Sequence, residues 1–211
     1  MMLSMDRSDH SSLIAQLRDN ASAKRRSAAK RLRKIGLSSA CPALLDALQQ
    51  ELRDERTWET QYQMVMALGA SGCTAALPLL RELALQHMKA TIVLVAVGDA
   101  IVRLARRFEH DPDPVLEMLG VDNDPSLADG ALRAVAMLQL RFHSEVVERL
   151  LDHVIGLKDE GWFFWAAAAC PGWSGVKVDA FLRMCLSSSR SDVQKAAVAA
   201  LSGKYLKWNP L

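Results

Sequence analysis

Residues 57–85 read TWETQYQMVMALGASGCTAALPLLRELAL, and their pattern decides the fold. Trp58, Tyr62, Val65, Met66 and Leu68 recur close to helical spacing, so the first half is a helix with an apolar stripe. Gly69, Gly72 and their polar neighbours are expected to break it. A second helix follows from Ala75, with Leu77, Leu79, Leu80, Leu83 and Leu85 as its apolar positions. Helices this short cannot bury their stripes unaided, so the hairpin requires neighbours on its flanks.

The rest of the chain supplies them by repetition. Leu32, Leu68 and Leu104 stand 36 residues apart, and Leu138 and Leu201 continue the series at shorter spacings. Pro42 opens a leucine-rich helix (Leu44, Leu45, Leu48, Leu52) much as Pro78 does one unit later. Further helices are predicted over 88–107, 114–119, 126–140, 144–157, 162–170, 176–186 and 191–203, the last stopped by Gly203. No stretch alternates with period two long enough for a sheet. The expected fold is all-α, five to six stacked helical hairpins over residues 21–203. Residues 1–20 read as a polar tail and lead-in, and 204–211, with Trp208 and Pro210, as a tail that folds back as an end cap.

Half of the 211 residues are hydrophobic but only 6 % are aromatic, a bias toward Ala and Leu that suits close helix packing. The formal net charge of +2 announces no polyanion partner by itself. The four cysteines, Cys41, Cys73, Cys170 and Cys185, form no CxxC pair, and they are expected to be reduced, buried thiols of a cytoplasmic protein. The most apolar run, 90–97, is too short for a membrane span.

Residues 191–203, SDVQKAAVAALSG, resemble the first helix of a HEAT repeat, as do residues 66–72, MALGASG. The resemblance extends from about residue 23 to 203, nearer the short bacterial form of the repeat. It departs from the family at Trp162–Trp165 and in the short second helix of the third unit. It implies a right-handed α-solenoid with a concave groove lined by second helices, in proteins that mostly bind other proteins and in a minority nucleic acid.

Removing the apolar stripes from the second helices leaves Asp46, Gln49, Gln50, Arg53, Arg81, Glu82, Glu148, Arg149, Asp152, Lys177 and Arg183 for that groove. This mixed-sign surface suits a protein partner. Lys24, Arg25, Arg26, Lys30, Arg31, Arg33 and Lys34 have no acid among them and form the candidate polyanion-binding helix, or else a solvated cap. Arg103, Arg106 and Arg107 are a second basic cluster. In the run 161–165, GWFFW, Trp162 and Trp165 are expected to share one face, with Trp162 the more exposed. Trp162 and Trp173 are therefore candidate interface anchors, against the alternative that these rings fill space between units.

No phosphate-cradling glycine loop, HExxH or GxSxG is present. The segment 109–113, EHDPD, reads as an ordinary acidic connector rather than a metal site. The reading is a non-enzymatic protein-binding module or adaptor without cofactor or membrane segment. The alternative is a nucleic-acid-binding relative of DNA-repair glycosylases, which resemble stacked HEAT-like repeats. A lyase-like role, as in tetrapyrrole-attachment proteins with similar repeats, is the third.

Overall fold

The structure, a computed structural model, describes residues 7–120, 124–157 and 160–207, and among them are twelve α-helices and no strand. The chain divides into two compact units between Ala105 and Arg106. Residues 208–211, including Trp208 and Pro210, lie outside the described part, as do residues 1–6 of the expected N-terminal tail.

The first unit contains α1 (Arg7–Gln16), α2 (Ser22–Ile35), α3 (Cys41–Glu51), α4 (Trp58–Ala70), α5 (Leu77–Ala84) and α6 (Thr91–Ala105). The lead-in contains the helix α1, and Leu13 within it and Leu17 just past its end are buried where it meets α2. Helices α2, α4 and α6 stack side by side, α3 packs on α4, and α5 on α6. Because α4 and α6 have neighbours on several sides, burial runs all round them, over residues 60–69 and almost all of 93–104. Their small residues let the backbones approach.

Gly69 does not break α4, contrary to the sequence expectation. It lies inside the helix, where a Cβ would stand 3.1 Å from the Cα of Ala100 on α6, so the missing side chain is a packing device. Gly72 ends the hairpin's first helix, with φ 70°, as Gly36 does with φ 67° one period earlier. Leu32, Leu68 and Leu104 are all buried, so the 36-residue spacing is a spacing of core positions.

One expectation is overturned here. Cys41 and Cys73 form a disulfide, with Cα atoms 5.4 Å apart across a sequence separation of 32. Spacing rules see only local pairs, whereas the repeat brings the start of α3 beside the turn between α4 and α5. Cys170 and Cys185 are free and buried, and burial pushes both thiols up, that of Cys185 to about 12. Closing a loop of 32 residues constrains the unfolded chain, so Cys41→Ala with Cys73→Ala is expected to lose about 2–4 kcal/mol. Urea unfolding with and without reductant checks this: reductant should destabilise the wild type and leave the double variant unmoved.

The second unit contains α7 (Asp113–Met118), α8 (Pro125–Leu138), α9 (Ser144–Gly156), α10 (Glu160–Ala169), α11 (Val176–Leu186) and α12 (Ser191–Leu201). Here α8, α10 and α12 stack, α9 and α11 pack beside them, and α7 lies on α8. The alanine run at the end of α10 is buried throughout. Phe163 and Trp165 are buried while Trp162 and Phe164 are half-buried, so Trp162 is the more exposed of the two indoles as expected, but Trp162 and Trp165 are not buried as a pair. Helix α10 has neighbours on more than one side, and residues two apart are both covered. Phe163 meets Phe181 of α11 edge-on at 5.6 Å. Trp173 is corrected more sharply: it is 8 % exposed, and its Nε1 donates to the Leu140 carbonyl at 3.0 Å. Its indole closes the interior and is not offered as an anchor. No helix among the described residues is long and apolar enough to cross a membrane.

Candidate functional site

Three of the predicted groove residues come together with others in a cleft of about 540 Å³. Asp46, Gln49 and Gln50 line it from α3, Leu17 to Asn20 from the α1–α2 turn, and Arg25 from α2. Helical spacing explains the first set. Leu44, Ala47 and Leu48 turn inward to the core, which leaves Asp46, Gln49 and Gln50 exposed on the opposite face.

The cleft is underlain by Glu51, which is not among the predicted groove residues. Glu51 falls on the apolar stripe of α3, seven residues after Leu44, and its side chain is only 1 % exposed. The Arg25 guanidinium pairs with it through Nε, and Ser22 Oγ reaches Oε2 at 3.5 Å. Ser22 also shares a 2.7 Å hydrogen bond with Thr60 of α4. Arg25 Nη1 donates to the carbonyls of Asp19 and Asn20 at 2.7 and 2.9 Å, which fixes the α1–α2 turn. The Ala21 N–H and then the Lys24 ammonium hold the Asp19 carboxyl below its usual range. Above this paired floor, Asn20, Gln49 and Gln50 offer carboxamides, which donate and accept as a peptide backbone does.

The basic helix is therefore less bare than its sequence. Lys24 pairs with Asp19 at 3.1 Å, Arg25 with Glu51 and Arg26 with Glu59, all acids from elsewhere in the chain. Arg33 is half-buried; Lys30, Arg31 and Lys34 are exposed, with no ion pair among the described residues. In the second basic cluster, Arg103 pairs with buried Asp99 at 2.5 Å, and Arg106 donates to the Glu109 carbonyl at 2.6 Å.

Arg107 is clasped by Asp111 and Asp113, which gives EHDPD a structural explanation. Asp111 is buried, and the Arg107 guanidinium, with the Arg107 and Asp113 N–H groups, lowers its carboxyl from 3.8 to about 2. A lowered carboxyl stabilises the fold in its ionised form. Its contribution is complete above pH 3.8 and is lost as the pH falls toward about 2. Asp111→Asn should accordingly be less stable than wild type at neutral pH, with the gap closing through that window in acid-unfolding curves.

The remaining predicted groove residues do not join the cleft. Arg53, Arg81 and Glu82 are exposed in the first unit; Glu148, Arg149, Asp152 and Arg183 are exposed in the second, with Lys177 half-buried and paired to Asp152 at 2.6 Å. Trp58, placed on the apolar stripe by its spacing, is 37 % exposed.

Residues 24–50 and 60–86 match the family model of the PBS lyase HEAT-like repeat. Among solved structures, an engineered protein is 21 % identical, with a TM-score of 0.48, over 97 % of this chain and 100 % of its own. A designed armadillo repeat protein is 19 % identical, with a TM-score of 0.43, over 91 % and 98 %. Human deoxyhypusine hydroxylase, in complex with glycerol, is 16 % identical, with a TM-score of 0.41, over 94 % and 85 %. No curated protein matches the sequence. The two matched segments cover α2 with α3 and α4 with α5, which are the hairpins that stack in the first unit, and so these two hairpins are similar to HEAT-like repeats.

Proposed function

We propose that the chain is a non-enzymatic protein-binding module, an adaptor that seats a segment of a partner protein on the polar faces of its second helices, with the α3 cleft as the principal seat. The cleft carries the reading. It sets carboxamides and both signs of charge around a floor whose own charges are already satisfied, so an incoming peptide backbone meets donors and acceptors without an unpaired buried ion. In this reading residues 21–203 act as one repeat domain, and no cofactor takes part.

Peptides selected from a displayed random library on the immobilised chain test it. Their affinity, read by fluorescence anisotropy, should fall at least about tenfold when Asp46→Lys and Gln49→Lys are combined. Peptides that bind both forms equally would place the seat elsewhere. The polyanion alternative rests on Lys30, Arg31 and Lys34 alone, and a gel shift that is absent at low salt removes it.

A cytoplasmic location belongs to the same proposal, and the Cys41–Cys73 bond weighs against it, since cytosolic thiols are normally kept reduced. Thiol titration of the denatured native protein decides. Four reactive thiols before reduction support the cytoplasm, whereas two before and four after point to an oxidising compartment.

A further inference from the structure

We propose that the outer face of α12 is a docking site for an amphipathic helix with acidic flanks, supplied by a partner protein. Helix α12 buries Val193, Ala196, Ala197 and Ala200 where it packs against α10 and α11. Its opposite side is not a purely solvated surface. Val198 and Leu201 are 55 % and 51 % exposed, and Gln194, Lys195, Val198, Ala199, Ser202 and Lys204 line a shallow groove of about 410 Å³.

The register of the repeat says what kind of surface this is. Gly203, with φ 65°, ends α12 as Gly72, with φ 70°, ends α4. Aligned on these glycines, Lys195, Val198 and Ala199 stand where α4 has Met64, Ala67 and Leu68, each 0 % exposed beneath neighbouring helices. The face is thus one that takes a packed helix elsewhere in the same chain. Val198 and Leu201, three residues apart, form the short stripe that a helical ligand reads.

Charge selects the occupant. Lys195 and Lys204 are exposed at the groove, and among the described residues no carboxylate lines it. The one acid of α12, Asp192, lies at the far end of the helix and is paired with Arg190 at 2.8 Å. A second copy of this face would set lysines near lysines, whereas glutamates flanking an apolar stripe would meet them favourably.

The probe is a labelled synthetic helix of about four turns, with leucines at i, i+3, i+4 and i+7 and glutamates on both flanks. Its control carries lysines in place of the glutamates. The glutamate peptide should bind the full chain by fluorescence anisotropy at least about tenfold more tightly than the control. Val198→Glu should remove that binding. Lys195→Glu combined with Lys204→Glu should reverse the preference between the two peptides, and Asp46→Lys in the α3 cleft should leave it unchanged, which separates this site from the one proposed above. Unchanged far-UV circular dichroism keeps the α12 variants interpretable. Equal binding of both peptides, or indifference to the α12 variants, overturns the proposal. So does binding that appears only after Trp208→Ala, which would make the chain's own tail the occupant. Concentration-dependent dimers abolished by Val198→Glu would assign the face to a second copy instead.

Discussion

Arg25→Ala is expected to lose about 3–5 kcal/mol of stability, far more than a substitution on a solvated basic helix should cost. The Glu51 side chain is 1 % exposed and that of Arg25 21 %, and they pair directly. Removing the guanidinium leaves a carboxylate buried without its counter-ion, and it strips the Asp19 and Asn20 carbonyls of their donor. Lys30→Ala and Arg31→Ala, which break no ion pair, should stay within about 0.5 kcal/mol. A second variant separates the pair from the rest of the side chain: Arg25→Met with Glu51→Leu removes both charges together and should recover much of the loss. Urea unfolding of these variants measures all of it. A loss below about 1 kcal/mol for Arg25→Ala would mean that Arg25 is a free surface cation, and the polyanion reading of α2 would regain its strongest residue.

Trp165→Ala is the other large effect, roughly 3–5 kcal/mol, because it removes a ring that is 6 % exposed inside a helix packed on several sides. Trp162 is half-buried, so Trp162→Ala should cost less than Trp165→Ala, although more than a freely exposed Trp would. Thermal or urea unfolding ranks the two. The reverse order would show that α10 is turned about its axis relative to the packing described, and Trp162 would cease to be a candidate anchor.

The elements legible in the sequence are those set by local rules. Leu32, Leu68 and Leu104 mark one core position per repeat, and the helix stops at Gly36, Gly72 and Gly203 are visible as glycines after apolar stripes. Gly69 was not legible, because a glycine that admits a neighbouring helix looks the same in one dimension as a glycine that ends a helix. The Cys41–Cys73 bond and the hydrogen bond from Trp173 to Leu140 join residues about one repeat apart, beyond the reach of spacing rules. The bare charge of α2 misled for the same reason, since Glu51 and Glu59 come from the two helices that follow it. Glu51 itself carried a signal: a carboxylate three residues after Leu48 and seven after Leu44 sits on a buried stripe and demands a cation. The polar half of the cleft was legible as the residues left over from the stripe of α3. The half supplied by the α1–α2 turn was not, because nothing local ties residues 17–20 to residues 46–51.

The most direct test of a protein-binding seat at α3 is site-specific photo-crosslinking of the full chain in a lysate of its native host. A benzophenone side chain replaces Gln50, which lines the cleft, or Lys34, on the exposed basic surface of α2. The expected result is a discrete, nuclease-resistant protein adduct from position 50 that disappears when Asp46→Lys is added, with no such adduct from position 34. Nuclease-sensitive adducts from position 34 and none from position 50 would contradict it, and would make the basic helix the binding surface of this chain.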